Sequence, residues 1–96
     1  MHAASGDGCG ESTWPDLDAQ PINNNGVCGA CKVLVKDFNL KYKTCRKYCE
    51  SIGRTCVGQW EEVEDTCKVE ATNDCDYEES SSDAICECSG KTLAAN

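Results

Sequence analysis

The sequence has little of what an apolar core is usually made from. Its 96 residues include one Phe, one Met, two Trp and two Pro. No apolar run is longer than three residues, as in Val33-Leu34-Val35. Runs this short exclude a membrane-spanning helix and the hydrophobic stretch of a signal peptide. The single histidine, His2, leaves a serine-type triad without a base. Basic residues are also scarce: nine Lys and Arg against seventeen Asp and Glu give a net charge of −8. That balance argues against nucleic acid and anionic lipid as partners.

What the chain does have is ten cysteines, about a tenth of its length. So short a chain buries a modest share of its surface, and cross-links must supply much of its stability. An even, dense set of cysteines implies disulfides, and disulfides imply an oxidising compartment: secreted, in the secretory pathway, or in an organellar lumen. Delivery there requires a targeting segment, expected ahead of Met1 in the precursor.

Charge falls in blocks. Residues 1 to 27 carry four acids and no Lys or Arg, residues 28 to 58 seven bases and two acids, and residues 59 to 96 eleven acids and two bases. The basic centre can face the acidic tail, or it can meet the acidic surface of a partner. Its candidate partner-binding cations are Lys36, Lys41, Lys43, Arg46, Lys47 and Arg54. Trp14, Phe38 and Trp60 are either apolar anchors or core, and Trp14 is the anchor assigned to the arm.

Residues 1–27 hold Gly6, Gly8, Gly10, Pro15, Pro21 and Asn23-Asn24-Asn25-Gly26, and read as an irregular arm tied down by Cys9. Residues 28–90 form the cysteine-rich domain and residues 91–96 a tail. Cys31, Leu34, Val35 and Phe38 fall at i, i+3, i+4 and i+7, which predicts a helix from Ala30 to Leu40. A second helix is predicted after Thr44 as N-cap, with Cys45, Tyr48, Cys49 and Ile52 as its buried stripe and Gly53 beyond its end. Thr55–Val57, Cys67–Val69 and Ala84–Cys88 have strand composition, with Trp60 and Val63 covering the sheet or helix. The fold class is therefore a small disulfide-rich α+β domain with an irregular N-terminal arm, two short helices and a small antiparallel sheet.

Few motifs suggest chemistry. Cys28-Gly29-Ala30-Cys31 resembles the active-site turn of thioredoxins, which implies a redox pair. That family also needs a preceding strand and a later proline, and the only prolines here lie upstream. A structural role is favoured for both cysteines. Cys28, Cys31, Cys86 and Cys88 form a conceivable zinc tetrahedron, but C-x-C is not a common ligand knuckle. Asp74, Asp76 and Glu78 alternate like the start of a calcium loop, yet Glu79 and Ile85 stand where an EF-hand needs Gly and Glu. Glu61, Glu62, Glu64 and Asp65 read as a charged exposed face. No catalytic residue, metal or cofactor is assigned.

Cys45-x3-Cys49 on a helix and Cys86-x-Cys88 on a strand each place two sulfurs on one side at similar separation, so two bridges can pin helix to strand. The spacing resembles the cysteine-stabilised αβ motif of defensins and scorpion toxins, whose order implies Cys45–Cys86 and Cys49–Cys88. The remaining cysteines, Cys9, Cys28, Cys31, Cys56, Cys67 and Cys75, are assigned to disulfides without a pairing.

The stretch Thr44-Cys-Arg-Lys-Tyr-Cys, Gly53-Arg-Thr-Cys-Val-Gly-Gln-Trp-Glu-Glu-Val, Asp65-Thr-Cys, Cys75-Asp76 and Ser82-Asp-Ala-Ile-Cys-Glu-Cys88 resembles a cysteine-rich module of secreted and lumenal proteins of dinoflagellate-type algae and marine invertebrates. The resemblance implies an extracytoplasmic module without catalytic residues. The reading favoured here is a non-catalytic module that docks onto protein subunits of a larger assembly. One version, implied by the resemblance alone, is a lumenal accessory subunit of a photosynthetic membrane complex. The alternatives are a thiol–disulfide protein using Cys28 and Cys31, and a secreted calcium or carbohydrate binder.

Overall fold

A computed structural model describes residues 9–92. His2, the start of the arm and positions 93–96 of the tail lie outside them. Seven regular elements follow the arm: β1 (Val27–Gly29), β2 (Lys32–Val35), α1 (Phe38–Lys41), α2 (Cys45–Ser51), β3 (Arg54–Glu62), β4 (Val69–Asn73) and β5 (Ala84–Thr92). The strands form one antiparallel sheet in the order β1-β2-β5-β3-β4, so the last strand lies at its centre.

Alternation along the strands sorts the side chains into two faces. The register aligns Val33 and Gln59 with Cys86, Val35 with Ala84, and Cys56 with Cys88. This face meets α2, whose Cys45, Tyr48 and Cys49 are fully buried. Leu34 and Trp60, both opposite Ile85, belong to the other face. There the Lys32 ammonium lies 4.1 Å from the centre of the Trp60 ring. Gly58 is needed beneath that indole, because a Cβ at this position would come within 2.5 Å of the ring.

Helix α2 forms where the sequence predicts it. The Thr44 hydroxyl accepts from the Lys47 amide at 3.2 Å, and Gly53 takes the left-handed conformation, φ 73°, just past the end. Disulfides Cys45–Cys86 and Cys49–Cys88 fasten this helix to β5.

The helix predicted over Ala30–Leu40 is replaced by the β1–β2 hairpin and the single turn α1. Cys31 adopts φ 59° at the hairpin turn, which a continuous α-helix cannot accommodate. The run Val33-Leu34-Val35 is buried on both faces, so its apolar spacing fits a covered strand as well as a helix, and β-branched valines favour the strand. The predicted strand at Cys67–Val69 begins only at Val69, and the one at Thr55–Val57 extends to Glu62, taking in Trp60.

Residues 9–26 pack onto the chain's own body. Asp18 donates its amide to the Leu34 carbonyl at 2.9 Å, and Lys36 donates its own to Asp16 at 2.8 Å. The arm thus continues, beside the end of β2, the edge that β1 occupies at the start of that strand. Disulfide Cys9–Cys31 anchors it to the hairpin turn, where the buried Glu11 carboxylate accepts the Cys31 amide.

Candidate functional site

The six candidate cations divide into engaged and free groups. Lys41 pairs with Asp16 at 2.9 Å, and the same carboxylate accepts from the Tyr42 hydroxyl at 2.6 Å. These two donors hold Asp16 below the usual carboxylate range, while burial and then Asp16 push the Tyr42 hydroxyl up to about 12. Arg46 forms a two-pronged pair with Asp76. Arg54 is half-buried, donates to the carbonyls of Ser89 and Cys9 at 2.8 and 3.3 Å, and stacks over Trp14. It clamps the arm to the sheet. Lys36, Lys43 and Lys47 are exposed and form no ion pair among the described residues.

Trp14, proposed as an anchor for a partner, is buried at 8 % exposure, with its indole N–H donating to the Cys9 carbonyl at 3.1 Å. Phe38 is fully buried as well. Both belong to the core. The apolar side chain that does face solvent in this region is Leu40, at 79 % exposure, on α1 between Lys36 and Lys43.

All ten cysteines are bridged. Besides the arm and helix bridges, Cys28 pairs with Cys67 and Cys56 with Cys75. The C-x-x-C motif is therefore no redox pair: its two sulfurs have different partners, one in the arm and one in the β3–β4 turn. The conceivable zinc tetrahedron also dissolves, because each of its four thiols is spent in a disulfide. The acidic loop expected as a calcium-like series is occupied internally. Asp76 is taken by Arg46, and Asp74 accepts the Asp76 amide at 2.9 Å.

The acids read as one exposed face behave differently from one another. Glu62 is buried, its carboxylate accepts the Asp65 amide at 3.0 Å, and burial raises its pKa. The buried Glu79 carboxyl facing it, followed by burial, pushes Glu61 up to about 7. A second group joins three segments distant in sequence: Asp18 of the arm, Asp65 of the β3–β4 turn and Asp83 at the start of β5. One carboxylate oxygen from each lies within 4.8 Å of the others. Burial, then the Asp18 carboxyl, pushes Asp83 up to about 7. No spacing in the sequence announces either group; the only local hint is that Asp83 directly abuts the apolar Ala84-Ile85-Cys86.

A pH dependence follows from the raised Glu61 carboxyl. The folded chain holds the Glu61 proton more tightly than the unfolded chain, so stability decreases wherever only the folded state is protonated. For Glu61 that window runs from the ordinary 4.5 to about 7. Its contribution is complete below the window and lost as pH rises through it. The melting temperature is expected to decline over this range, and Glu61→Gln to make the decline shallower while raising stability at pH 7.5. The slope does not vanish, because Glu62 and Asp83 are raised too. Thermal melts of both proteins across this range check it; parallel curves would count against the raised Glu61 carboxyl.

Sheet, helix and bridges together define a disulfide-rich α+β module, and its five disulfides mark an oxidising, extracytoplasmic environment. Among the described residues no helix is long and apolar enough to cross a membrane. No protein-family profile, curated protein or solved structure matches the chain.

Proposed function

We propose that this chain is a non-catalytic docking module whose α1–α2 segment binds a protein with an acidic surface and an apolar notch. The observation that carries the reading is Leu40, 79 % exposed, between Lys36 and Lys43, which form no ion pair among the described residues, in a chain of net charge −8. Exposed leucines are common singly. This one stands in the one cationic stretch of an acidic protein, where an apolar anchor with a charged rim matches the anatomy of a protein interface. Bridges on either side of the segment support the reading, since a rigid surface loses less entropy on association. With every sulfur bridged, thiol exchange at Cys28 and Cys31 has no nucleophile to start from.

The test uses oxidised protein immobilised against extracellular or lumenal fractions. The wild type is expected to retain a partner whose binding weakens with salt. Lys36→Glu/Lys43→Glu/Lys47→Glu and, separately, Leu40→Asp should each reduce retention about tenfold, the size of an interface residue worth more than about 1 kcal/mol. Both variants should keep the wild-type melting temperature, because these side chains are exposed. Equal retention by wild type and variants would overturn the proposal.

A further inference from the structure

We propose that Asp18, Asp65 and Asp83 form a binding site for calcium, joining the arm, the β3–β4 turn and the start of β5. The three carboxylates offer oxygens within 4.8 Å of one another. Calcium binds oxygens at about 2.3–2.6 Å, so two ligands of one shell lie at most about 5 Å apart. Among the described residues, no Lys or Arg forms an ion pair with any of the three.

Acids crowd together on many surfaces, so the second observation matters more. Asp83 is only 6 % exposed, and its Oδ2 is buried without any hydrogen-bond partner. Its other oxygen accepts from the Ser82 hydroxyl at 2.9 Å, and its carboxyl faces Asp18. A buried acceptor left unmatched beside two further carboxylates is costly in a folded protein. A cation completes it.

The surrounding backbone fixes all three residues before any ion arrives. Asp18 is held through its amide on Leu34. Asp65 sits in the left-handed region at φ 61°, with its carbonyl accepting from Asn23 at 2.9 Å and its amide held by Glu62. The Asp83 carbonyl accepts from the Ser81 hydroxyl at 2.7 Å. The donor set is all oxygen, which suits a hard cation, and it is irregular and open on the exposed Asp65 side, where water can supply further ligands. Calcium tolerates such geometry; magnesium demands a near-ideal octahedron.

Calorimetric titration of the oxidised full chain with calcium chloride at pH 7.5 tests the site. Binding of one ion with Kd of about 10⁻⁴–10⁻³ M is expected, the range of extracellular calcium modules. At about 10 mM calcium the melting temperature should rise by about 5–15 °C, with a smaller rise in equal magnesium. Asp65→Asn keeps the left-handed backbone and removes one charge, and should weaken calcium at least about tenfold. Asp18→Asn serves the same purpose should the first variant fold poorly. Asp76→Asn, in the acidic loop paired with Arg46, should leave calcium affinity unchanged. No heat and no shift at about 20 mM calcium, an unaltered Kd in both Asn variants, or loss of binding in Asp76→Asn would each overturn the assignment.

Discussion

Reduction of the five disulfides is expected to unfold the chain at neutral pH and 25 °C, with loss of its sheet signal in circular dichroism. The apolar interior is too small to hold alone: among the described residues the buried apolar side chains other than cysteine are Trp14, Val33, Leu34, Val35, Phe38, Tyr48, Ala84 and Ile85. Against a typical stability of about 5–15 kcal/mol for a domain, each bridge matters. Cys45–Cys86 and Cys49–Cys88 close separations of 41 and 39 residues, for which chain entropy alone gives about 4 kcal/mol each. Cys56–Cys75 closes 19, worth about 3 kcal/mol on the same basis. The overlapping loops keep these values from adding. Paired substitutions avoid stray thiols, so Cys45→Ala/Cys86→Ala should destabilise more than Cys56→Ala/Cys75→Ala in guanidinium unfolding. The first also empties fully buried space between α2 and β5. A reduced chain that keeps its sheet and a cooperative transition would show that the bridges decorate a self-sufficient core.

How much of this was legible in the sequence depends on whether the cause is local. Helix α2 could be read because Thr44, the cysteine and tyrosine stripe and Gly53 are neighbours in the chain. The α2–β5 staple could be read because i, i+4 on a helix and i, i+2 on a strand have one geometric meaning each. The β1–β2 hairpin was missed because Cys31, Leu34, Val35 and Phe38 satisfy a helical period by coincidence. The positive φ of Cys31 that breaks it is fixed by contacts with Cys9 and Glu11. Pairing of Cys28 and Cys31 with partners elsewhere has the same origin: the hairpin turn splays the two sulfurs toward different segments.

The candidate sites were less legible than the fold. Residue type marked the basic stretch, but only the packed arm reveals that Asp16 takes Lys41 and that Arg54 is used against Trp14 and Cys9. The arm holds two short 3-10 segments, Glu11–Thr13 and Pro21–Gly26, and is tied to the hairpin by Cys9. Its place beside the end of β2 is what brings Asp18 to Asp83, so the carboxylate cluster follows from a strand-edge contact that carries no sequence motif.

Gln59→Leu is expected to be among the most damaging single substitutions of a residue outside the disulfides, although it replaces a polar group with an apolar one in the core. The first amides of a helix have no partner within it. In α2 the Lys47 amide goes to the Thr44 hydroxyl, the Arg46 amide to the Cys75 carbonyl, and the Cys45 amide to the Gln59 side chain at 2.7 Å. Only the first of these is a local cap. Gln59 is fully buried on β3 and also donates from Nε2 to the Tyr77 carbonyl at 2.8 Å, so it joins helix, sheet and the β4–β5 loop. Leucine fills the space but strands the Cys45 amide, and Cys45 is itself fully buried, so water cannot replace the lost acceptor. Tyr77 is half-exposed, and its carbonyl can turn to solvent. One stranded buried donor plus one weakened contact gives about 2–3 kcal/mol, against about 1 kcal/mol for Thr44→Ala at the local cap. Guanidinium unfolding of the oxidised variants measures both. A Gln59→Leu cost no larger than that of Thr44→Ala would mean that the helix start finds another acceptor, and that the contact across the core is dispensable.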